Sequence, residues 1–556
     1  KKIDAHAYSV EFINSSIDIS TELIEPSKYY ENYFIGAKNR WASDVRSYKS
    51  LLQKNVYTGI DIRYYINGEK LKYDIIIMPN ADLNDIKIKY NGADKIRLYE
   101  GKLYINTSVN IVKESRPYAY QIINDSKVEV SCIYVLKKNI LSFNFPDGYN
   151  KDYELIIDPV LEFSTYSGST TDNFGYTATY DNFGFLYAGS TSFGTGYPTT
   201  IGAYQINYNN SSGGTDIAIT KYDTTGTERI YSTYLGGSLD ELPHSMIVNT
   251  ANELFIYGTT ASFDFPVTTS AFQKNFKGGP GFSPSGIGVS FPNGSDIFVS
   301  RLSADGSDLL GSTFIGGTGN DGLNIAPQLK YNYADEVRGE IDIDQQNNIY
   351  IASCTRSTDF PAINSVQQKS NGGQEGCVIK MDNQLTSIIW STYLGGTNDD
   401  AIYSLAIDQK NHIYVTGGTN SGNFPTTETA YQDIYQDSIQ ADGFITKISS
   451  NGSKILASSY YGTKEYDQSY FVEIGNTNSV YLFGQTKNTG IQLINNATYS
   501  VSEGGQFIAV FNEDLSSVLR STVFGTGKGT PDISPTAFLV DVCNKIYIAG
   551  WGSNLG

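Results

Sequence analysis

Residues 390–396 read WSTYLGG, and versions of this stretch recur along most of the chain. The other versions are FSTYSGS at 163, YSTYLGG at 231, GSTFIGG at 311, ASSYYGT at 457 and RSTVFGT at 520. They are separated by 63 to 80 residues. A regular period of this length predicts that one supersecondary unit is repeated in tandem.

Each repeat contains three more short apolar runs, which are SLAID at 404, IYVTG at 413 and GFITKI at 443 in the best example. Turns rich in Gly, Asn and Asp separate the runs, which is typical of short β-strands. Four strands per repeat predict the blades of a β-propeller, because blades stacked around an axis cover both faces of every sheet. Six predicted blades begin near residues 163, 231, 311, 390, 457 and 520. The sixth is incomplete, and we expect the natural protein to continue past residue 556.

The first part of the chain is predicted to be a separate domain. Residues 1–158 carry a net charge of +1, whereas residues 159–556 carry −19. In the first part, Asn67-Gly68 lies between two β-rich runs and predicts a hairpin. Alternating apolar and lysine positions predict antiparallel strands with one wet face. The predicted fold is therefore all-β, with an N-terminal sandwich-like domain at 1–158 and a propeller at 159–556.

Charge and hydropathy narrow the range of partners. The chain of 556 residues has a net charge of −18, which argues against binding to nucleic-acid phosphates or to anionic membranes. No apolar run approaches the ~20 residues of a membrane-spanning helix. We therefore expect no nucleic-acid partner and no membrane span in this segment.

The sequence shows no catalytic motif. His6, His244 and His412 have no metal-ligand spacing, and neither a nucleophile elbow nor a phosphate loop is present. The sialidase-type Asp box is missing as well. We predict no catalytic residue and no cofactor, although a pair of carboxylates meeting across the axis, as in a glycosidase, stays open.

An acidic residue follows each Ser-Thr-Tyr stretch. These residues are Asp172, Asp240, Asp321, Asp399 with Asp400, Asp467 and Asp532. Propeller geometry predicts that they lie on one rim. The first interpretation is structural, since Asp side chains accept backbone N–H bonds in turns. The second is a rim that attracts Ca²⁺ or a basic partner.

The chain has four cysteines, Cys132, Cys354, Cys377 and Cys543. Cys354 and Cys377 fall on strands predicted to be antiparallel neighbours. We therefore predict a disulfide between them, with two buried free thiols as the alternative.

Several longer strings resemble known proteins. YSTYLGG, NHIYVTGGT, NFPTTETAYQ and DGFITKISSNGSKIL resemble the seven-bladed (SBBP-type) propeller repeats of bacterial secreted proteins. VYTGIDIRYYINGEKLKYDIIIMPNAD and GTPDISPTAFLVDVCNKIYIAGWG resemble a Bacteroidota family that joins an N-terminal β domain to such a propeller. Members of that family often carry a C-terminal sorting domain for type IX secretion. The name of this sorting domain refers to gliding motility. This segment has no such domain.

The resemblance implies an exported, non-enzymatic protein at the cell surface or outside the cell. Its expected role is adhesion, display or protein interaction, with other surface or secretion-system proteins or glycans as partners and a link to gliding. Two alternatives remain: a propeller that binds or degrades polysaccharide, and a structural subunit of an extracellular assembly.

Overall fold

A computed structural model describes residues 8–33, 41–67, 70–99, 101–108, 111–114, 116–123, 126–158, 167–210, 214–224, 228–284, 288–436, 440–541 and 543–552. The chain forms two compact units, Lys1–Ser164 and Thr165–Gly556. The described residues form strands and three short 3₁₀ turns, which confirms the predicted all-β class. None of these described elements is a helix long and apolar enough to cross a membrane.

The N-terminal unit contains three antiparallel sheets around one core. Its strands are β1 (Ser9–Phe12), β2 (Ser20–Tyr33), β3 (Ala42–Tyr57), β4 (Ile60–Asn67), β5 (Lys70–Ile77), β6 (Ile88–Asn91), β7 (Lys95–Tyr99), β8 (Lys102–Asn106), β9 (Ile111–Glu114), β10 (Tyr118–Ile123), β11 (Ser126–Val130), β12 (Ile133–Lys137), β13 (Ile140–Asn144) and β14 (Leu155–Asp158). The sheet orders are β11-β10-β14-β5-β4-β3-β2, β1-β6-β13-β12 and β7-β8-β9. In β6, Ile88 and Tyr90 are buried while Lys89 between them is exposed, so one face of that strand is wet.

The second unit contains five four-stranded antiparallel sheets and one two-stranded sheet, here called blades 1–6. Blade 1 has β15 (Asn173–Tyr180), β16 (Leu186–Ser192), β17 (Asp216–Tyr222) and β18 (Arg229–Leu235); blade 2 has β19 (Glu241–Val248), β20 (Leu254–Thr260), β21 (Asp296–Leu302) and β22 (Leu309–Ile315); blade 3 has β23 (Glu340–Ile343), β24 (Ile349–Thr355), β25 (Glu375–Met381) and β26 (Ile388–Leu394). Blade 4 has β27 (Asp400–Ile407), β28 (Ile413–Thr419), β29 (Asp442–Ile448) and β30 (Ile455–Tyr461); blade 5 has β31 (Asp467–Ile474), β32 (Val480–Thr486), β33 (Gln506–Phe511) and β34 (Val518–Phe524); blade 6 has β35 (Ile533–Val540) and β36 (Ile546–Gly552).

The first strands of successive blades contact one another, from β15 through β19, β23, β27 and β31 to β35. This is the arrangement of a β-propeller, in which the first strand of each blade lies innermost. Buried aromatic and aliphatic side chains fill the space between blades. For example, Tyr257 from blade 2 packs with Ile351 and Cys377 from blade 3. Each blade thus covers the face of its neighbour.

The Ser-Thr-Tyr stretch ends a blade rather than beginning one, which corrects the predicted phase of the repeat. The starts predicted at 231, 311, 390, 457 and 520 fall in β18, β22, β26, β30 and β34, the fourth strands of blades 1–5. The start predicted at 163 lies outside the described residues. A tandem repeat has the same period wherever it is cut, so the period alone does not give its phase.

Blade 3 differs from the others at its first strand. Asp321 pairs with Thr355, and Glu340 pairs with Ala352 on the same neighbouring strand β24. Residues 322–339 are therefore an insertion: the chain leaves blade 3 after Asp321 and returns to the same neighbouring strand, β24, at Glu340. We call residues 322–339 the axial segment, because their contacts are with the innermost strands of other blades.

Candidate functional site

The axial segment is anchored by a fully buried leucine. Its two 3₁₀ turns are Pro327–Leu329 and Asp335–Val337. The carbonyl of Leu329 accepts hydrogen bonds from Tyr403 Oη at 2.8 Å and from Gln468 Nε2 at 3.0 Å. Tyr403 belongs to blade 4 and Gln468 to blade 5, so this segment of blade 3 reaches two other blades.

The second half of the segment extends to blades 5 and 6. Asn332 exchanges two hydrogen bonds of 3.0 Å with the amide of Gln485, and Asp335 accepts one of 3.0 Å from Tyr470 Oη. Arg338 donates to Asp335 Oδ1 at 3.1 Å and to the Pro535 carbonyl of blade 6 at 2.7 Å. The axial segment therefore plugs the propeller axis.

A cavity of about 230 Å³ lies beside this plug. Its wall is mainly aromatic and consists of Phe174, Gly175, Tyr176, His244, Tyr333, Ala334, Val337, Arg338, Gly339, Tyr403, Tyr470, Phe471, Ser534, Thr536 and Trp551. These residues come from the innermost strands of blades 1, 2, 4, 5 and 6, from the axial segment and from the end of β36. No Asp or Glu side chain is among these lining residues.

The outer part of the cavity is formed by two stacked aromatic rings. Tyr333 and Trp551 have ring centroids 5.6 Å apart and an interplanar angle of 25°. They are 46 % and 62 % exposed, so their outer faces are open to solvent. We call this pair the aromatic mouth. Such a pair offers a flat apolar face beside polar groups.

His244 supplies a buried polar group in the same wall. It is 7 % exposed, and its Nε2 lies 3.0 Å from Thr259 Oγ1. Nδ1 has no hydrogen-bond partner among the described residues. Burial lowers the pKa of His244 to about 3, so the imidazole is neutral at physiological pH. A neutral imidazole has one donor and one acceptor nitrogen, and which nitrogen carries the proton follows from its partners.

The predicted acidic rim resolves into two adjacent positions. In blades 2, 4 and 5 the inner strand begins with an acid (Glu241, Asp400 and Asp467), and Asp321 holds the same position where the chain enters blade 3. Asp400 accepts hydrogen bonds from Gly396 N at 2.7 Å, from Ser421 Oγ at 3.0 Å and from Thr419 Oγ1. Asp321 accepts the equivalent bonds from Gly317, Ser357 and Thr355. Through these hydrogen bonds, each acid connects the turn before its own inner strand to the end of the second strand of the same blade.

The other predicted rim acids stand one residue earlier. Asp240 accepts from Thr215 N and Ser290 N, both at 2.6 Å. Asp399 accepts from Gln374 N at 2.7 Å and from Arg356 Nη2 at 3.2 Å. Asp532 accepts from Thr526 N at 2.6 Å, and Asp172 is exposed. Across the described residues, no three Asp, Glu, His or Cys side chains form a group suited to hold a metal ion.

A second set of acids, which the sequence interpretation missed, lies beside the first. They begin the third strands of blades 1–4 and are Asp216, Asp296, Glu375 and Asp442. A Cβ atom added to Gly236 would lie 2.7 Å from atoms of both Asp216 and Glu241, so these two carboxylates are close neighbours. The same holds for Glu375 and Asp400 around Gly395. The sequence signal that could have identified them is an acid at the first position of the third strand in each of these blades.

Burial dominates the electrostatics of these acids. Burial, with a smaller contribution from a nearby carboxylate, raises the pKa of Asp216 (near Asp240) and of Asp400 (near Glu375) to about 7. Hydrogen bonds to the carboxylates act in the opposite direction but do not cancel the effect. In the same way, burial raises the pKa of Glu241 well above its usual value.

The predicted disulfide is absent from the structure, which has Cys354 and Cys377 as buried free thiols. Cys377 pairs with Ser353, not with Cys354. Since successive side chains of a strand point to opposite faces, the two thiols lie on opposite faces of blade 3. Cys377 packs toward blade 2, with Tyr257, and Cys354 packs toward blade 4, with Tyr403.

The remaining sequence candidates have separate positions. His412 Nδ1 lies 2.9 Å from Asp408 Oδ2 within a turn, away from the cavity wall. His6 lies outside the described residues. Cys543 is exposed and Cys132 is half-buried in the N-terminal unit. Of the two histidines that the structure describes, His244 reaches the cavity and His412 does not, and nothing in the local sequence of His244 distinguished it.

Comparison with known proteins agrees with this architecture. Residues 1–160 match a domain of unknown function (DUF7948), and residues 389–425 match a family described as a beta-propeller repeat. None of the curated protein sequences matches the chain.

Three of the solved structures to which this chain is similar are a protein of unknown function, a sialidase and BamB. A protein of unknown function from Dyadobacter fermentans is 14 % identical, with a TM-score of 0.31 over 68 % of this chain and 87 % of that one. The NanB sialidase from Streptococcus pneumoniae is 8 % identical, with a TM-score of 0.38 over 99 % and 93 %. BamB from Moraxella catarrhalis is 10 % identical, with a TM-score of 0.25 over 68 % and 96 %. Because all three TM-scores lie below 0.5, no functional inference follows from them.

Proposed function

We propose that this protein is a non-catalytic, exported binding protein, and that its propeller serves adhesion, display or protein interaction at the cell surface. The observation that carries the proposal is the plugged axis, where the axial segment is hydrogen-bonded to blades 4, 5 and 6. Export, including a type IX route and a link to gliding, rests on the sequence resemblance.

The distribution of carboxylates supports binding rather than hydrolysis. A glycosidase of the usual kind needs two carboxyl groups facing one bond of its substrate. Here Asp321 and Asp400, two of the acids with raised pKa, accept hydrogen bonds from Gly, Ser and Thr of their own and adjacent blades. The two acids of the axial segment, Asp335 and Glu336, are paired with Arg338 and Lys330. The cavity wall is left with aromatic faces and hydroxyl groups.

The test is to find what the intact protein binds on the cell envelope. The full chain would be cross-linked to intact cells, and the captured material would be divided into protein and glycan fractions. Trp551→Ala, which removes half of the aromatic mouth, should reduce capture. Trp41→Ala, an exposed tryptophan of the N-terminal unit, is the matched control.

Surface labelling of intact cells tests the location independently. Labelling of the protein by a membrane-impermeant reagent supports export. Labelling only after cell lysis, or capture that both variants leave equal to that of the unmodified chain, would contradict the proposal.

A further inference from the structure

We infer that the axial cavity binds a single neutral sugar ring, held against the aromatic mouth and hydrogen-bonded to His244. This inference rests on the proposed function and names the chemistry of the ligand. It follows from four properties of the cavity: the flat aromatic faces of its wall, the unpaired Nδ1 of His244, the charge of the lining residues and the volume.

The flat faces suit the apolar side of a sugar. The ring hydrogens of a pyranose form a weakly polar face, which packs against an aromatic π-system as other C–H-rich groups do. Trp551 and Tyr333 present such a surface, and both residues are exposed to solvent. Phe174, also exposed, lies on the same wall from blade 1.

His244 supplies a polar group that would orient the ligand and favour its binding. His244 Nδ1 is buried without a hydrogen-bond partner in the described part of the chain, and such groups cost free energy until they are paired. A sugar hydroxyl both donates and accepts, so it satisfies Nδ1 in either tautomer. Ser534 and Thr536 add hydroxyl groups to the same wall.

The charge balance excludes a strongly ionic ligand. Arg338 is the one charged residue that lines the described cavity wall, and its guanidinium is engaged by Asp335 and the Pro535 carbonyl. A carboxylate or phosphate ligand would have to compete with Asp335 for it. An ammonium ligand would find no carboxylate in the wall.

The size limits the ligand to about one ring. Sites for drug-sized molecules enclose roughly 300–1,000 Å³. The cavity, at about 230 Å³, is smaller. A single sugar residue, such as the end of a longer glycan that extends into solvent, fits this limit.

The experiment uses the intact chain and a panel of small probes. Methyl glycosides of glucose, galactose and mannose are the neutral probes, glucuronic acid is the anionic probe, and tryptophan amide is the aromatic probe. Binding is followed by saturation-transfer NMR and calorimetry. Trp551→Ala and His244→Phe should each weaken binding of a neutral glycoside by about tenfold, the scale of one stacking contact or one hydrogen bond.

Two further variants separate recognition from folding. His244→Asn keeps a hydrogen-bonding group near the Nδ1 position and should retain more affinity than His244→Phe. Trp41→Ala should bind like the unmodified chain. All variants should keep the unliganded melting temperature within a few degrees, so that a loss of binding is not a loss of fold.

Each outcome bears on a different claim. Neutral glycoside binding that depends on Trp551 and His244 supports the inference. Binding of glucuronic acid or tryptophan amide alone, or of no probe, overturns it, while the proposed function stands if envelope capture still depends on Trp551. Cleavage of a bound glycan would overturn the proposed function and leave sugar recognition intact.

Discussion

The carboxylates of Asp296 and Asp321 belong to different blades and lie against the same glycine. A Cβ atom at Gly316 would be 2.8 Å from Asp296 Oδ1 and 2.7 Å from Asp321 Oδ2. Burial raises the pKa of Asp296 to about 6 and that of Asp321 to about 8, and the charge of Asp296 adds to the effect on Asp321. Two buried acids at one blade junction therefore resist ionising together.

The first prediction concerns pH. In the unfolded chain Asp321 ionises near its ordinary pKa of 3.8, whereas in the folded chain it holds its proton up to about pH 8. The folded state thus binds more protons between these values, and stability falls as pH rises through that range. The unfolding midpoint of the propeller, followed by the emission of buried Trp390, should be higher at pH 5 than at pH 8.5.

Asp321→Asn should make this dependence shallower, because the Asp321 side chain no longer ionises while Asp216, Asp296 and Asp400 still do. Asp305→Asn is the control, since Asp305 is exposed and ionised throughout the range. A propeller that becomes more stable from pH 5 to pH 8.5 would contradict the prediction.

The second prediction concerns the glycine between the two acids. Gly316→Ala forces a methyl group against both carboxylates. Overpacking usually costs about 1–3 kcal/mol, and we expect this substitution to destabilise the propeller by about 3 kcal/mol or more. At Gly422 a new Cβ would meet its nearest atom at 3.9 Å, so Gly422→Ala should be nearly neutral. Urea unfolding of both variants measures the difference, and equal midpoints would refute the close packing at Gly316.

The third prediction concerns the plug. Leu329 is fully buried at the axis, so Leu329→Ala should cost about 2–5 kcal/mol of unfolding free energy. Leu456 on β30 is 42 % exposed, and Leu456→Ala should cost far less. If the two substitutions have the same effect in urea unfolding, Leu329 does not anchor the axial segment.

The fourth prediction concerns the thiols. Cys354 and Cys377 are buried and burial raises the pKa of both, so neither should react with iodoacetamide in the folded protein. Exposed Cys543 should react readily. After unfolding without a reductant, all four cysteines should be alkylated. A Cys354–Cys377 disulfide peptide in the mass spectrum would contradict the structure.

Much of the fold was predictable because period and strand pattern are local properties of the sequence. WSTYLGG and its relatives gave the blades, and the alternation around Ile88 and Tyr90 gave the N-terminal sheets. The position at which each blade begins was not predictable from the sequence. It depends on whether the strand with the Ser-Thr-Tyr stretch pairs with the strand before it or with the strand after it. The disulfide failed for the same reason, since a one-residue shift in register places Cys354 and Cys377 on opposite faces.

The candidate site was less predictable. The 79-residue spacing between GSTFIGG at 311 and WSTYLGG at 390 is no longer than the 80 residues of the interval before it, so the spacing alone does not single out this repeat. Nor does it reveal that residues 322–339 reach Gln468 and Gln485 of blade 5. His244 and Trp551 meet in one cavity wall only because blades 2 and 6 face a common axis, which is a long-range property of the fold.

The central claim is that the working surface is the aromatic mouth beside a plugged axis and that it binds without reacting. The most direct measurement incubates the intact chain and Trp551→Ala with isolated envelope glycan, and then records both the bound fraction and the chain length of the glycan. We predict saturable binding that falls about tenfold in Trp551→Ala, with the glycan length unchanged. A shortened glycan, or equal binding by both proteins, would contradict the account.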